Sequence, residues 1–133
     1  MIIQSKKVWL ADQFVAAQVE MDGGKIVGIH AYDAKPVDRD YGSERILPGF
    51  IDVHCHGAYG FDTNDAEEEG LRYWVRNIVS EGVTALLPTT ITQSEQVLTA
   101  ALQNVAKVVA DGYEGAEILG VHFEGPYLDK VGS

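Results

Sequence analysis

Two histidines stand one residue apart in the segment IDVHCHG, residues 51–57. Side chains alternate between the two faces of a strand, so His54 and His56 project from the same face if this segment is extended. Two neutral imidazoles arranged in this way can bind one metal ion from one side, and they suit Zn, Fe, Ni or Cu. The alternative is that both are polar residues at a strand end that faces solvent. The pair alone therefore allows a metal site without requiring one.

A carboxylate, Glu124, strengthens the metal hypothesis. It lies near the end of a third apolar segment, EILGVHFEG at residues 117–125. Ligand sites of α/β proteins form at the carboxyl ends of parallel strands, so Glu124 would meet His54 and His56 there. A buried glutamate needs a partner, which a metal ion provides. Its alternative role is to cap the turn that follows, and we favour ligation.

Four other residues of similar chemistry receive simpler interpretations. His122 lies on the same strand face as Glu124, two residues earlier. It is interpreted as an interior residue whose hydrogen bonds are made or as a hydrogen-bond donor to a metal ligand. Asp52 is assigned a structural hydrogen-bonding role. Cys55 points away from the two histidines and is interpreted as core, neither thiolate ligand nor nucleophile. His30 is interpreted as a surface residue.

Hydrophobic patterning indicates the elements that position these residues. Before residue 46, three short aliphatic and aromatic runs (8–10, 14–21 and 26–32) and the turn DGGK at 22–25 predict a small antiparallel β module. From residue 46 onward, predicted strands at 46–54, 83–90 and 117–125 alternate with two helices. This order is typical of a parallel α/β sheet with right-handed crossovers.

Capping and apolar residues define the two helices. Asn64 or Asp65 is expected to cap the first helix and Gly82 to end it; Thr92 and Glu95 are expected to form a capping box for the second. Pro88 is expected to end the strand between them. The inner faces are predicted from three- and four-residue spacing: Leu71, Trp74, Val75, Ile78 and Val79 in the first helix, and Leu98, Ala101, Leu102, Val105 and Val109 in the second.

Composition narrows the function classes. The chain has 133 residues, a formal charge of -10 and a pI near 4.6, which disfavours binding to nucleic acid or to anionic membrane surfaces. Its one cysteine excludes an intramolecular disulfide and fits a reducing compartment. No stretch approaches the ~20 apolar residues of a membrane helix, and no signal peptide is evident. We therefore expect a cytoplasmic protein with no nucleic-acid or membrane partner.

The segments LPGFIDVHCHG, TALLPTTIT and GVHFEGPYL together resemble the amidohydrolase superfamily and, within it, the N-acetylglucosamine-6-phosphate deacetylases. His-x-His is shared by much of the superfamily, whereas HFEGPYL is far more particular to the deacetylases. The resemblance extends over residues 47–128. It implies an α/β fold in which residues 46–133 form the first three strands and two helices of an incomplete (β/α)₈ barrel, and residues 1–45 form part of a small β-sandwich domain.

The resemblance also implies a reaction, the metal-dependent hydrolysis of the acetamide of N-acetylglucosamine 6-phosphate to glucosamine 6-phosphate and acetate. One or two divalent ions (Zn, Fe, Co, Ni or Mn) would polarise the amide carbonyl and lower the pKa of a bound water. His54 and His56 would hold one metal position, and Glu124 would hold or bridge to another. Some members of the family lack His-x-His and use a single metal. The complete enzyme is expected to be a homodimer.

A complete barrel takes ~250 residues, so this chain holds only part of the expected enzyme. By the resemblance, two further histidines and the catalytic aspartate lie beyond Ser133, so no catalytic or substrate-binding residue is assigned here and the isolated chain is expected to be inactive. Three explanations of the short chain stay open: a truncated or proteolytic piece of a longer enzyme, half of a split enzyme, and a non-catalytic remnant. The abrupt end LDKVGS favours the first. Each would leave an apolar strand surface that needs a partner chain, self-association or a missing remainder.

Two further alternatives concern the class of protein. A non-catalytic module could bind metal or sugar weakly or supply an assembly surface. A dihydroorotase-like or deaminase-like hydrolase would share His-x-His. Such enzymes commonly draw their bridging ligand from a modified lysine on a fourth strand or lack one, so Glu124 in HFEGP argues against them.

Overall fold

The computed structural model describes residues 1–127, which form two compact units, Met1–Pro48 and the residues from Gly49 onward. The last six residues of the chain, LDKVGS, lie outside the described residues. The end of the predicted barrel segment and the last residue of the HFEGPYL motif lie there too. None of the helices within residues 1–127 is long and apolar enough to cross a membrane.

The first unit is a five-stranded sheet with the strand order β3-β2-β1-β4, in which β5 also pairs with β1. β1, β2 and β3 are antiparallel neighbours and confirm the predicted β module, whereas the two short strands run parallel to β1. The strands are β1 Ile2–Leu10, β2 Gln13–Asp22, β3 Lys25–Ala31, β4 Arg39–Asp40 and β5 Arg45–Ile46. The assignment of residues 1–45 to a β-sandwich domain stays a prediction.

Strand β1 starts well before the predicted run at 8–10, because two of its polar residues, Gln4 and Ser5, are buried instead of exposed. The amide of Gln4 donates to Asp33 at 2.9 Å and to Asp40 at 3.0 Å, and its oxygen accepts from the amide of Gln18 at 2.8 Å. Both glutamines are almost fully buried. A buried amide with all its hydrogen bonds made costs little, so this polar segment can be part of the sheet.

His30, predicted to be a surface residue, lies in β3 and is partly exposed. Its Nε2 is 2.6 Å from the carboxylate of Glu20, which also accepts a hydrogen bond from Lys35 at 2.8 Å. The hydrogen bonds from Lys35 and His30 lower the pKa of the Glu20 carboxyl. His30 therefore belongs to a small surface ion cluster of the first unit.

The second unit confirms the predicted fold class, because parallel strands alternate with helices along the chain. Its strand order is β6-β7-β8, and β9 pairs with the carboxyl end of β7. Two 3₁₀ turns, Thr63–Asp65 and Ile78–Glu81, flank the first helix. The main elements are β6 Phe50–Cys55, α1 Glu68–Asn77, β7 Val83–Thr90, α2 Glu95–Asp111, β8 Glu117–Ile118 and β9 His122–Phe123.

Three predicted strand limits were wrong. The strand predicted at 46–54 begins at Phe50, since Ile46 pairs with β1 in the first unit. Pro88 does not end β7, which continues to Thr90. The strand predicted at 117–125 is divided into β8 and β9, because its three middle residues oppose only two residues of β7 and therefore bulge.

The start of α1 also differs from the prediction. Asp62, and neither Asn64 nor Asp65, acts as the cap, and it caps the 3₁₀ turn that precedes the helix. Its carboxylate accepts from the N–H of Asn64 at 2.8 Å, while the Asp65 carboxylate accepts from the N–H of Asp62 at 2.8 Å. The helix itself begins at Glu68. The helix ends at Asn77, and Gly82, which was predicted to end it, instead ends the 3₁₀ turn that follows, in the left-handed conformation.

Helix α2 is capped by Ser94, whose hydroxyl accepts from the N–H of Val97, so the predicted capping box at Thr92 was wrong. Its buried face was also predicted incorrectly in part: Leu102 and Val109 are exposed, as is Val79 after α1. The residues of α2 that are buried are Leu98, Ala101, Asn104, Val105 and Val108. The core of the unit consists of Phe61, Leu71, Trp74, Val75, Ile78, Leu86, Val105, Val108, Ala116 and Ile118.

Two adjacent valines of α2 provide a matched test of this core. Val108 is 0% exposed and Val109 is 46% exposed. We expect Val108→Ala to lower the free energy of unfolding by about 2 kcal/mol, because it removes buried methyl groups and leaves a cavity. Val109→Ala should raise it by about 0.5 kcal/mol, because alanine has the higher helix propensity. Urea unfolding measures both, and equal effects of the two variants would contradict this burial pattern.

Candidate metal centre

The three predicted metal ligands converge at one end of the parallel sheet of the second unit. His54 lies near the end of β6, His56 follows that strand directly, and Glu124 follows β9. Strands β6 and β9 pair with opposite edges of β7, so the three side chains meet across the carboxyl end of the central strand. This is the end of a parallel sheet at which α/β proteins build their sites.

Their ligand atoms form a small triangle. Glu124 Oε2 lies 3.0 Å from His54 Nε2 and 3.3 Å from His56 Nε2, and the two imidazole nitrogens are 3.4 Å apart. Ligand atoms held about 2.1 Å from one ion are separated by roughly 3.0 Å in octahedral and roughly 3.4 Å in tetrahedral geometry. The observed separations fit the coordination of one ion by all three residues. The structure thus brings the whole predicted ligand set together.

The proton arrangement of His56 favours a ligand role. Its Nδ1 lies 3.2 Å from the carbonyl oxygen of Thr89. A carbonyl oxygen only accepts, so Nδ1 donates and Nε2 of the neutral ring presents a lone pair to the other ligand atoms. With the Glu124 carboxylate beside it, this lone pair needs a proton or a cation between the two groups. A divalent ion can fulfil that need for all three ligands at once.

The candidate ligands are open to solvent on one side. The side chains of His54, His56 and Glu124 are 47%, 36% and 32% exposed. Catalytic metal sites keep at least one coordination position for water or substrate, unlike closed structural sites. The donor set and its exposure fit a metal centre that keeps a coordination position open.

The neighbouring residues hold the first ligand in place. Asp52, predicted to have a structural role, accepts a hydrogen bond from the N–H of His54 at 3.1 Å. The ring of His122 packs against the ring of His54, with 4.5 Å between the centroids. Cys55 is half-buried and contacts the core cluster, which confirms its interpretation as a core residue.

Sequence reasoning missed Thr89, which connects this site to the sheet. Its hydroxyl accepts from the N–H of Cys55 at 3.0 Å and donates to the carbonyl oxygen of Leu87 at 3.0 Å, while its own carbonyl oxygen orients His56. A threonine in an apolar strand is an ordinary β residue, and a role exerted through a backbone carbonyl leaves no sequence signal. The PTT segment gave no reason to single it out.

Comparison with known proteins agrees with this site. The amidohydrolase family profile matches residues 45–130. The chain is 38% identical to N-acetylglucosamine-6-phosphate deacetylase of Vibrio furnissii over 133 aligned residues, which cover 93% of this chain and 31% of that protein. It is 34% identical to N-acetylgalactosamine-6-phosphate deacetylase of Escherichia coli over 120 residues, covering 90% and 30% of the two chains.

A solved structure shows the same fold. A variant of the Mycobacterium smegmatis N-acetyl-D-glucosamine-6-phosphate deacetylase, in complex with N-acetyl-D-glucosamine-6-phosphate, matches 97% of this chain with a TM-score of 0.85 and 25% identity. The match covers 33% of that structure.

A parallel β/α unit with two histidines and a glutamate at the carboxyl end of its strands is the arrangement in which α/β-barrel proteins place their functional sites. The family profile makes the assignment specific: this chain belongs to the amidohydrolase family. The two curated relatives named above are sugar-phosphate deacetylases. The chain spans about a third of the length of the curated relatives that it matches.

Replacement of Thr89 tests its link between β6 and β7. Thr89→Val keeps the shape of the side chain but leaves the buried N–H of Cys55 without its acceptor, so we expect a loss of about 2 kcal/mol in the free energy of unfolding. Thr89→Ser keeps the hydroxyl and should lose less. Urea unfolding followed by tryptophan fluorescence measures both losses, and wild-type stability in the valine variant would show that this hydrogen bond does not stabilise the sheet.

Proposed function

We propose that this protein acts in the metal-dependent removal of the acetyl group of N-acetylglucosamine 6-phosphate, which yields glucosamine 6-phosphate and acetate. The observation that carries the proposal is the triangle of ligand atoms from His54, His56 and Glu124. A metal ion held there would supply the Lewis acid for the proposed amide hydrolysis. The similarity to deacetylases, one of them solved with the sugar phosphate, supports the substrate class.

The residues of this chain have distinct tasks in the proposed site. His54 and His56 would offer their Nε2 atoms to the metal, and Glu124 would offer one carboxylate oxygen and leave the second free for another ion. When bound, a divalent ion acts as a Lewis acid on the amide carbonyl and makes water a stronger nucleophile near neutral pH. The chain contributes by fixing the ligand geometry, since Thr89 orients the ring of His56.

The remaining catalytic groups are assigned to a longer polypeptide or to a companion chain. The curated relatives are about three times as long as this chain, and we infer that the catalytic aspartate and two further histidines are supplied from outside these 133 residues. The isolated chain should then bind metal without hydrolysing the substrate. For the complete enzyme we propose a homodimer. We also propose that it lies in the cytoplasm, because the single half-buried cysteine of this chain forms no intramolecular disulfide and so fits a reducing compartment.

A second candidate substrate differs only at one hydroxyl of the sugar. The relative from Escherichia coli is named for N-acetylgalactosamine 6-phosphate, and the amide and phosphate groups of the two sugars are the same. The metal ligands act on the amide, so they cannot discriminate between the two sugars. Discrimination belongs to residues that contact the sugar ring, and none is assigned within this chain.

Metal binding is the direct test of the ligand set. We expect the chain to bind Zn²⁺ or Co²⁺ in calorimetric titrations, and Glu124→Ala to weaken that binding more than about 100-fold, because loss of a group that merely supports a ligand already costs about 10- to 100-fold. His54→Ala and His56→Ala should each weaken it less, because each removes a neutral ligand, whereas Glu124 supplies the negative charge of the ligand set.

A matched control removes another glutamate. Glu114→Ala changes a carboxylate whose side chain is 85% exposed and which, among residues 1–127, pairs with Arg76, so it should bind metal like the wild type. Full metal binding by the Glu124→Ala variant would refute the role of this residue as a ligand.

Activity is measured on the protein produced from its complete reading frame. Release of acetate from N-acetylglucosamine 6-phosphate should be abolished by a chelator and restored by one of Zn, Fe, Co, Ni or Mn, because the Lewis acid is removed and replaced. Parallel assays with N-acetylgalactosamine 6-phosphate decide between the two sugars. Binding of metal without hydrolysis of either substrate would support the non-catalytic module instead.

A further inference from the structure

His122 stands beside the candidate metal centre without belonging to the triangle of ligand atoms. Its Nδ1 lies 2.8 Å from the carbonyl oxygen of Val53, and its ring packs against that of His54 at 4.5 Å between centroids, with 53° between the ring planes. Because the carbonyl oxygen only accepts, Nδ1 of His122 donates this hydrogen bond. The ring is therefore fixed in the orientation that contacts His54.

The hydrogen bond joins two strands that are not neighbours. Val53 lies in β6 and His122 in β9, and these strands pair with opposite edges of β7. The carbonyl that accepts it belongs to the residue directly before His54. His122 thus contacts the first metal ligand in two ways, through its ring and through the backbone that leads to it.

The two histidine ligands are restrained differently. A hydrogen bond from Nδ1 to the carbonyl oxygen of Thr89 orients the ring of His56. For His54, the restraints that residues 1–127 provide outside the triangle are the hydrogen bond of its backbone N–H to Asp52 and the ring contact with His122. The His54 side chain is also 47% exposed, so a ring contact decides how much rotamer freedom it retains.

We propose that His122 is a positioning residue that holds the His54 ring in its metal-binding orientation. The inference rests on the proposed function, because it assigns His122 a task in that same metal site. The ring of His122 makes the contact with His54, and its hydrogen bond to Val53 fixes the ring that makes it. A ligand ring oriented before the metal arrives loses less conformational entropy on binding, which raises the affinity for metal.

Three substitutions separate the contributions of ring and donor. His122→Ala removes both and should weaken binding of Zn²⁺ or Co²⁺ about 10- to 100-fold. His122→Asn keeps an N–H donor for Val53 but no ring, and should bind as weakly as the alanine variant. His122→Phe keeps the ring without the donor and should recover part of the affinity. The visible spectrum of bound Co²⁺ should differ most from that of the wild type in the variants that lose the most affinity for metal.

A control distinguishes positioning from general stability. Val108→Ala removes buried methyl groups from α2, a helix that supplies none of the three candidate ligands, so it should lower the free energy of unfolding and leave the affinity for metal unchanged. The His122 variants should show the reverse pattern, with a loss of affinity that exceeds any loss of stability measured by urea unfolding.

The outcomes are distinct. Wild-type affinity in His122→Ala, or full recovery in His122→Asn, overturns the inference and leaves the metal site intact. Failure of the wild-type chain to bind Zn²⁺ or Co²⁺ contradicts the proposed function and overturns the inference with it. Weak binding in the alanine and asparagine variants, with partial recovery in the phenylalanine variant, supports a positioning role of the ring.

Discussion

The candidate metal centre depends on two bulges beside the central strand of the parallel sheet. Pro88 lies inside β7, the strand that has neighbours on both edges, and proline has no N–H to give to a ladder. Both neighbouring strands gain one residue at this level: two residues of β6 oppose Leu87, and three residues between β8 and β9 oppose Leu87 and Pro88. A bulge bends its strand and changes the direction of the side chains that follow it. His56 and Glu124 both come after these bulges, so the triangle of ligand atoms depends on them.

The sequence was sufficient to predict that the three candidate ligands converge and that strands alternate with helices. The alternation of side chains placed His54 and His56 together, and parallel strands bring their carboxyl ends to one edge of a sheet. Thr89 could not be predicted, since its contributions are a carbonyl oxygen and a buried hydroxyl. The buried face of α2 was predicted incorrectly at Leu102 and Val109, which are exposed, because both fit a helical stripe and only packing against the sheet distinguishes them from buried residues such as Val108.

Strand β6 carries one candidate ligand, His54, together with three exposed apolar residues. Phe50, Ile51 and Val53 are 65%, 60% and 56% exposed. Apolar surface in water is unfavourable by about 25 cal/mol per Å² relative to burial, so such a strand gains stability from any element that covers it. The expectation that an incomplete sheet leaves apolar strand surface uncovered is met by these residues. Cover of β6 would also lower the dielectric constant around His54 and strengthen its attraction to a cation.

The third ligand is held by a close approach of backbone to side chain. Gly125 follows Glu124 directly, has a φ of +86°, and any Cβ there would lie 2.2 Å from the hydroxyl oxygen of Thr92. Only glycine allows the chain to pass Thr92 at this distance in the left-handed region. The glycine of HFEGP is therefore required for a steric reason. A larger residue at position 125 would have to move the backbone away from Thr92, and Glu124, the residue before it, would move with that backbone. With the ring contact at His54 and the carbonyl of Thr89 at His56, each ligand has its own restraint, and each restraint comes from a different residue. A site built in this way can lose one ligand's orientation without losing the fold, which is why affinity for metal, and not stability, reports on it.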